Sequence, residues 1–250
     1  MKPASHHETG VRLAFETSSA LGEVALGLGD KVREVRSLGG PRRHAVEFLP
    51  TIDALCRAHG VSPGDVSTVF VSSGPGSFTG LRIGVTAARI LAFAHGGRLV
   101  AVPTLEVIAQ NALRAAGRGS PPSRVAVVLD AKRRRVYAAA FVLRGDRYVA
   151  VSQPVEAEPA RFLAQQGAID PDCTVLGEGV PYHRDAVDAS GLSVLPEDLY
   201  RPRAQTVFRL GVVCAAEGRF VDRRSLVPTY VRPPEAEEKW RERHRTDDRP

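Results

Sequence analysis

Cysteine is scarce. Cys56, Cys173 and Cys214 lie far apart among 250 residues, and no C-x-x-C occurs. An odd, scattered set argues against a disulfide framework and reads as reduced core thiols of a cytoplasmic protein. Aromatic residues make up 6%, with a single Trp, so the composition advertises no base-stacking surface. The opening MKPASHHETG has no apolar h-region, which argues against a secretory signal. The most apolar helix candidate, LRIGVTAARILAFAHGG, carries Arg82 and Arg89 and is too short to span a bilayer. No membrane association is expected.

What is present suits a soluble α/β protein. Hydrophobic residues reach 43%, enough for a core, and the length allows one domain or two small ones. The formal charge of +6 suits an acidic partner, nucleic acid among them, although an arginine-rich composition alone also produces such a balance.

The period of the apolar residues orders the chain. VRLAF (11–15) reads as a buried strand, and EVALGLG (23–29) and KVREVRS (31–37) alternate as strands do. RHAVEFLPTIDALCRAH (43–59) has helical spacing, with Pro50 predicting a kink or a late start. TVFVSSG (68–74) is a short continuous apolar strand, followed by a helix over about 79–95, a strand at 98–103 and a helix for which Thr104 is a plausible N-cap. RGSPPS (118–123) is the best linker. Beyond it the pattern partly repeats, with strands at 124–132, 135–143 and 146–152, a strand then a glycine loop over 174–179, a short helix at 158–167 and an amphipathic helix at 205–220. The expected organisation is a disordered lead-in (1–10), two related α/β subdomains (11–117 and 118–234) and a charged tail (235–250).

SSGPGSFTGLRIG (72–84) is the stretch that raises the question of function. A P-loop needs Lys and then Ser or Thr after its last glycine, but Leu81 and Arg82 follow Gly80. A Rossmann loop needs G-x-G-x-x-G, but Thr79 stands at the third glycine position. Gly74, Pro75, Gly76, Ser77, Phe78 and Thr79 read instead as a structural strand-to-helix turn, with Ser77 or Thr79 as the helix cap. Behind the turn, Gly80, Gly84, Ala87, Ala88 and Ala92 keep the helix surface low, while Ile83, Ile90, Leu91 and Phe93 are apolar. This face either packs on the sheet or meets a partner, and apolar residues almost all round favour burial on more than one side.

LAFETSSALGEVALG, RRHAVEFLP, SSGPGSFTGLRIGVTAARILAFA and PTLEVIAQNA together resemble the TsaB (YeaZ) family of bacterial tRNA threonylcarbamoyladenosine biosynthesis proteins. LDAKRRRVYAAAF and PTYVR are similar to that family as well, so the resemblance covers nearly all of 11–232. It implies an actin-like ATPase (ribonuclease H-like) fold with two related α/β subdomains. It also implies a non-catalytic paralogue of TsaD. TsaD carries the metal and transfers threonylcarbamoyl to adenosine 37 of ANN-decoding tRNAs, TsaE is an ATPase of the complex, and the family member is the dimerisation platform.

TsaD-like proteins place an H-x-x-x-H pair after the strand that follows the glycine-loop helix. Here the equivalents are Thr104 and Ile108, which cannot replace two imidazoles, and the seven histidines contain no H-x-x-x-H. No metal site and no catalytic residue are therefore expected, and the ATP and metal belong to the complex. An actin-like nucleotide site wants an acid on the first strand. Glu16 occupies that place, with Thr17 and Ser18 beside it, but ETSS also reads as a polar turn without a phosphate-binding glycine. The partner-facing residues are expected to be His44, Leu49, Gly80, Ile83, Gly84, Ala87 and Leu91, meeting TsaD or, without it, a second copy. tRNA is expected to be reached through the complex. Arg133, Arg134 and Arg135 form a basic run that reads as a solvated face or as a contact for tRNA phosphate. The rival reading is a stand-alone ATP-binding or hydrolytic enzyme of the same fold using Glu16 and Asp130, or a protease built on His44, Glu47 and Asp130, for which no nucleophile is suitably spaced.

Overall fold

The computed structural model describes residues 10–118 and 120–229, without the side chains of 40–44 and 116–118. The lead-in, the charged tail and the end of PTYVR lie outside the described residues. Among the described residues there are two sheets. The first comprises β1 (Val11–Glu16), β2 (Glu23–Leu28), β3 (Lys31–Ser37), β4 (Val66–Ser72) and β5 (Arg98–Val102), in the order β3-β2-β1-β4-β5. β1 is antiparallel to β2 and parallel to β4. The second sheet holds β6 (Arg124–Asp130), β7 (Val136–Arg144), β8 (Arg147–Ala150), β9 (Val155–Ala157), β10 (Thr174–Leu176) and β11 (Ser193–Val194), in the order β11-β10-β6-β7-β8, with β9 on β7. Antiparallel β6–β7–β8 and parallel β6–β10–β11 repeat the first sheet strand for strand. This duplicated topology is the actin-like, ribonuclease H-like fold.

Alternation along each strand decides which helix it receives. Leu13, Phe15, Val69 and Val71 share a core with α1 (Gly40–Ala58) and α2 (Phe78–Ala94). Phe15 and Phe48 of α1 meet edge to face at 4.8 Å. Ala14, Ala25, Phe70 and Val100 point into a separate core. That core is closed by α6 (Ala204–Ala216), where Phe208 meets Phe70 at 5.4 Å. α3 (Thr104–Gln110) places Leu105, Ile108 and Ala109 in the core of the second sheet, along with Phe162 and Leu163 of α4 (Pro159–Ile169) and Val187 of α5 (Arg184–Ala189).

The chain-contiguous halves 11–117 and 118–234 therefore do not each keep their own helices. α3 leaves the first half to pack on the second sheet, and α6 returns from the second half to the first. The exchange is stitched by polar bonds. The Ala204 amide at the start of α6 donates to the Glu23 carboxylate (2.9 Å). Gln110 exchanges two 2.9 Å bonds with the Tyr148 backbone.

Several expected boundaries shift for local reasons. α1 begins at Gly40 because Pro41 suits the first turn, and it runs through exposed Pro50, where water can serve the carbonyl that proline leaves unpaired. Thr104 does not cap α3 with its side chain. Its hydroxyl accepts from the Gly74 amide (3.2 Å), and its own amide donates to the Gly74 carbonyl (2.9 Å). The three cysteines are free and buried. Among the described residues, no helix is long and apolar enough to cross a membrane.

Candidate functional site

The glycine turn spends its polar groups inside the chain. The Ser73 amide donates to Val102 (2.9 Å), the Ser77 amide to the Ser18 carbonyl (2.7 Å), and the Gly80 amide to the Ser77 hydroxyl (3.2 Å), which caps α2. Gly74 has φ +109, and a Cβ there would lie 2.7 Å from the Thr229 carbonyl. At Gly76 a Cβ would strike the Ser18 backbone. The turn is thus pressed between the β1–β2 connection and the returning segment near Thr229.

Gly80 and Gly84 correct the interface expected from sequence. Both are buried in α2, and a Cβ at Gly80 would collide with the Thr17 carbonyl, one at Gly84 with the Thr17 hydroxyl. Their small size admits the chain's own β1 turn, so neither faces a partner. Of the other expected contacts, Leu49 is 61% exposed, and Ile83, Ala87 and Leu91 are half-buried. These four line one apolar groove of about 420 Å³ between α1 and α2, along with Ile90 and the edge of Phe48. The His44 side chain lies outside the described residues. Ile90 is itself 61% exposed, and outside the groove lining Val46 of α1 (74%) and Phe93 of α2 (60%) are also exposed apolar residues. Among the described residues, the one charged residue lining the groove is Arg82, which lies over the Phe78 ring at 4.9 Å.

Glu16, at the end of β1, is fully buried. One carboxylate oxygen accepts from the Ser18 amide (2.6 Å) and from the Ser18 hydroxyl. The other oxygen has no protein partner, and neither does the buried Thr17 hydroxyl. Burial, outweighing the Ser18 hydrogen bonds and reinforced by Glu178, pushes the Glu16 carboxyl up to about 7. Glu16 and Thr17 are both fully buried, with the Thr17 hydroxyl against Gly84 of α2, so neither side chain is open to a hydrated Mg²⁺–nucleotide in this arrangement. Among the described residues, no cluster of three His, Cys, Asp or Glu could hold a metal ion. Thr104 is engaged with Gly74, and Ile108 is a core residue.

The protease constellation is not assembled. Glu47 accepts from the Gly39 amide at the start of α1. Asp130 ends β6 in the other sheet, paired with Lys132 (2.9 Å) and His183 (3.2 Å). The His183–Asp130 pair had no sequence signal, because the partners are 53 residues apart.

The family model described as TsaD, tRNA N6-adenosine threonylcarbamoyltransferase, matches residues 39–240. The tRNA threonylcarbamoyladenosine biosynthesis protein TsaB of Bacillus subtilis is 30% identical over 231 residues, 91% of this chain and 96% of its own length. The chain belongs to the TsaB family. The solved YeaZ structure from Pseudomonas aeruginosa superposes with a TM-score of 0.75 at 27% identity, covering 88% of this chain and 99% of that one. By contrast, the tRNA N6-adenosine threonylcarbamoyltransferase of Anaeromyxobacter dehalogenans is 36% identical over only 99 residues, 40% of this chain and 28% of the transferase. A TsaB-family chain that also matches the TsaD family model fits a paralogue of that transferase.

Proposed function

We propose that the chain is a non-catalytic, cytoplasmic partner subunit for the formation of threonylcarbamoyladenosine at position 37 of ANN-decoding tRNAs. It docks TsaD through the α1–α2 groove. TsaE and the tRNA join through the resulting complex, and a second copy occupies the groove when TsaD is absent. The observation that carries this reading is the groove itself, where Leu49 and Ile90, each 61% exposed, flank an apolar floor with no carboxylate among its described lining residues. Monomeric soluble proteins seldom leave such a contiguous apolar face uncovered. The sealed Glu16 supports assigning ATP and metal chemistry to the other subunits.

The test is reconstituted transfer to a tRNA transcript by TsaD and TsaE from the same organism. Activity should require this chain, should be lost with Leu49→Asp combined with Ile90→Asp, and should survive Glu16→Gln. Loss with Glu16→Gln and retention in the groove variant would instead favour an enzymatic role for this chain.

A further inference from the structure

The hairpin between β6 and β7 closes in a conformation that its sequence does not favour. The Ala131 amide donates to the Arg135 carbonyl and the Arg135 amide to the Lys132 carbonyl, both at 2.9 Å. Lys132–Arg135 is therefore a β-turn with Arg133 and Arg134 at its centre. Their φ angles are +50° and +60°, and that of Lys132 is +63°. Positive φ at both central residues belongs to the type I′ turn, where Asn-Gly is preferred because other L-residues are strained in the left-handed region. Among the described residues these are the only non-glycine positions with positive φ. All three are cationic and all three are exposed. The hairpin alone would be better served by Asn-Gly, so the cations answer a requirement outside the local fold.

The surroundings indicate what that requirement is. Tyr182, in the short 3₁₀ turn Pro181–His183, is 69% exposed, with its ring 5.6 Å from the Lys132 ammonium. Asp130 holds Lys132 on one side and His183 on the other, so the cationic turn and the aromatic face are tied together. Cations beside an open aromatic ring suit a nucleic acid, which offers phosphates and unstacked bases at once. An acidic protein surface would use the cations but not the ring.

We propose that this turn and Tyr182 form a direct RNA contact, in which Lys132, Arg133 and Arg134 meet backbone phosphates and Tyr182 stacks on an unpaired base of the tRNA. The choice of tRNA rests on the proposed role of the chain. The contact lies on the second sheet and uses no residue of α1 or α2.

The experiment is fluorescence anisotropy with an unmodified tRNA transcript carrying adenosine 37, titrated with the TsaD complex at several salt concentrations. Arg133→Asn with Arg134→Gly installs the preferred turn. It should raise the thermal midpoint and keep the mass of the TsaD complex. Affinity at low salt should fall about tenfold, and the log–log salt slope should shrink by about two. Tyr182→Ala should lower affinity about fivefold or more with the slope unchanged. Unaltered affinity and slope in the double variant would overturn the proposal. So would loss of TsaD association with tRNA binding intact, which would assign the turn to a protein partner. If the wild-type chain fails to pair with TsaD, the partner-subunit reading fails, and the same titration on the full chain alone still decides the turn.

Discussion

Replacing Glu16 with Gln should change how stability depends on pH. Burial pushes the folded carboxyl up to about 7 against an ordinary 4.5, because it costs the charged form more than the Ser18 hydrogen bonds return. Below 4.5 both the folded and unfolded chains hold this proton, and the contribution to stability is whole. Between 4.5 and 7 only the folded chain holds it, so stability falls as pH rises. Above 7 the contribution is gone. At roughly 1.4 kcal/mol per pH unit the full loss is about 3 kcal/mol. Glu16→Gln keeps an oxygen for the Ser18 amide and removes the ionisation, so its stability should be nearly flat in this window relative to wild type. Urea unfolding of both proteins at pH 5, 6, 7 and 8 measures the difference. The wild type should lose ground to the variant from pH 5 to about pH 7, then level off, and lie below it at pH 8. Parallel curves would refute the placement of Glu16 in a sealed site.

Three further outcomes follow from the geometry. Leu49→Asp with Ile90→Asp should leave the thermal midpoint almost unchanged, since both positions are exposed, yet weaken TsaD binding by at least a hundredfold in isothermal titration, as loss of two apolar anchors at about 2 kcal/mol each implies. Gly84→Leu should destabilise folding by about 1–3 kcal/mol, because the new side chain meets Thr17 rather than a partner; a variant of wild-type midpoint in differential scanning calorimetry would contradict this. Thr104→Val should cost about 1–3 kcal/mol in chemical unfolding by leaving the buried Gly74 amide unpaired.

Much of the fold was legible because strand alternation and helical spacing recur in both halves. β1, β4 and β6 announce themselves as apolar runs, and the repeated order of strands is visible before any coordinates. β9, β11 and α5 were missed because three, two and six residues carry no usable period. The exchange of α3 and α6 was invisible for a different reason, since an apolar helix face does not state which sheet it will meet. The candidate site divided along the same line. Leu49, Ile83, Ala87 and Leu91 fall on one groove because helical spacing predicts which residues share a face. Gly80 and Gly84 were misplaced because a small residue records a close approach without naming what approaches, and here it is Thr17, more than 60 residues away in sequence. The burial of Glu16 and the strained Lys132–Arg134 turn depend on long-range packing and on backbone angles that composition does not encode.

The central claim, that the α1–α2 groove is the seat of a partner, is tested most directly by light scattering on chromatographed mixtures of this chain with TsaD from the same organism. A mixed species with the mass of a one-to-one complex, absent when Leu49 and Ile90 are both changed to Asp and retained with Glu16→Gln, is the predicted result. Two separate peaks for the wild-type mixture, or an unchanged complex in the groove variant, would contradict it.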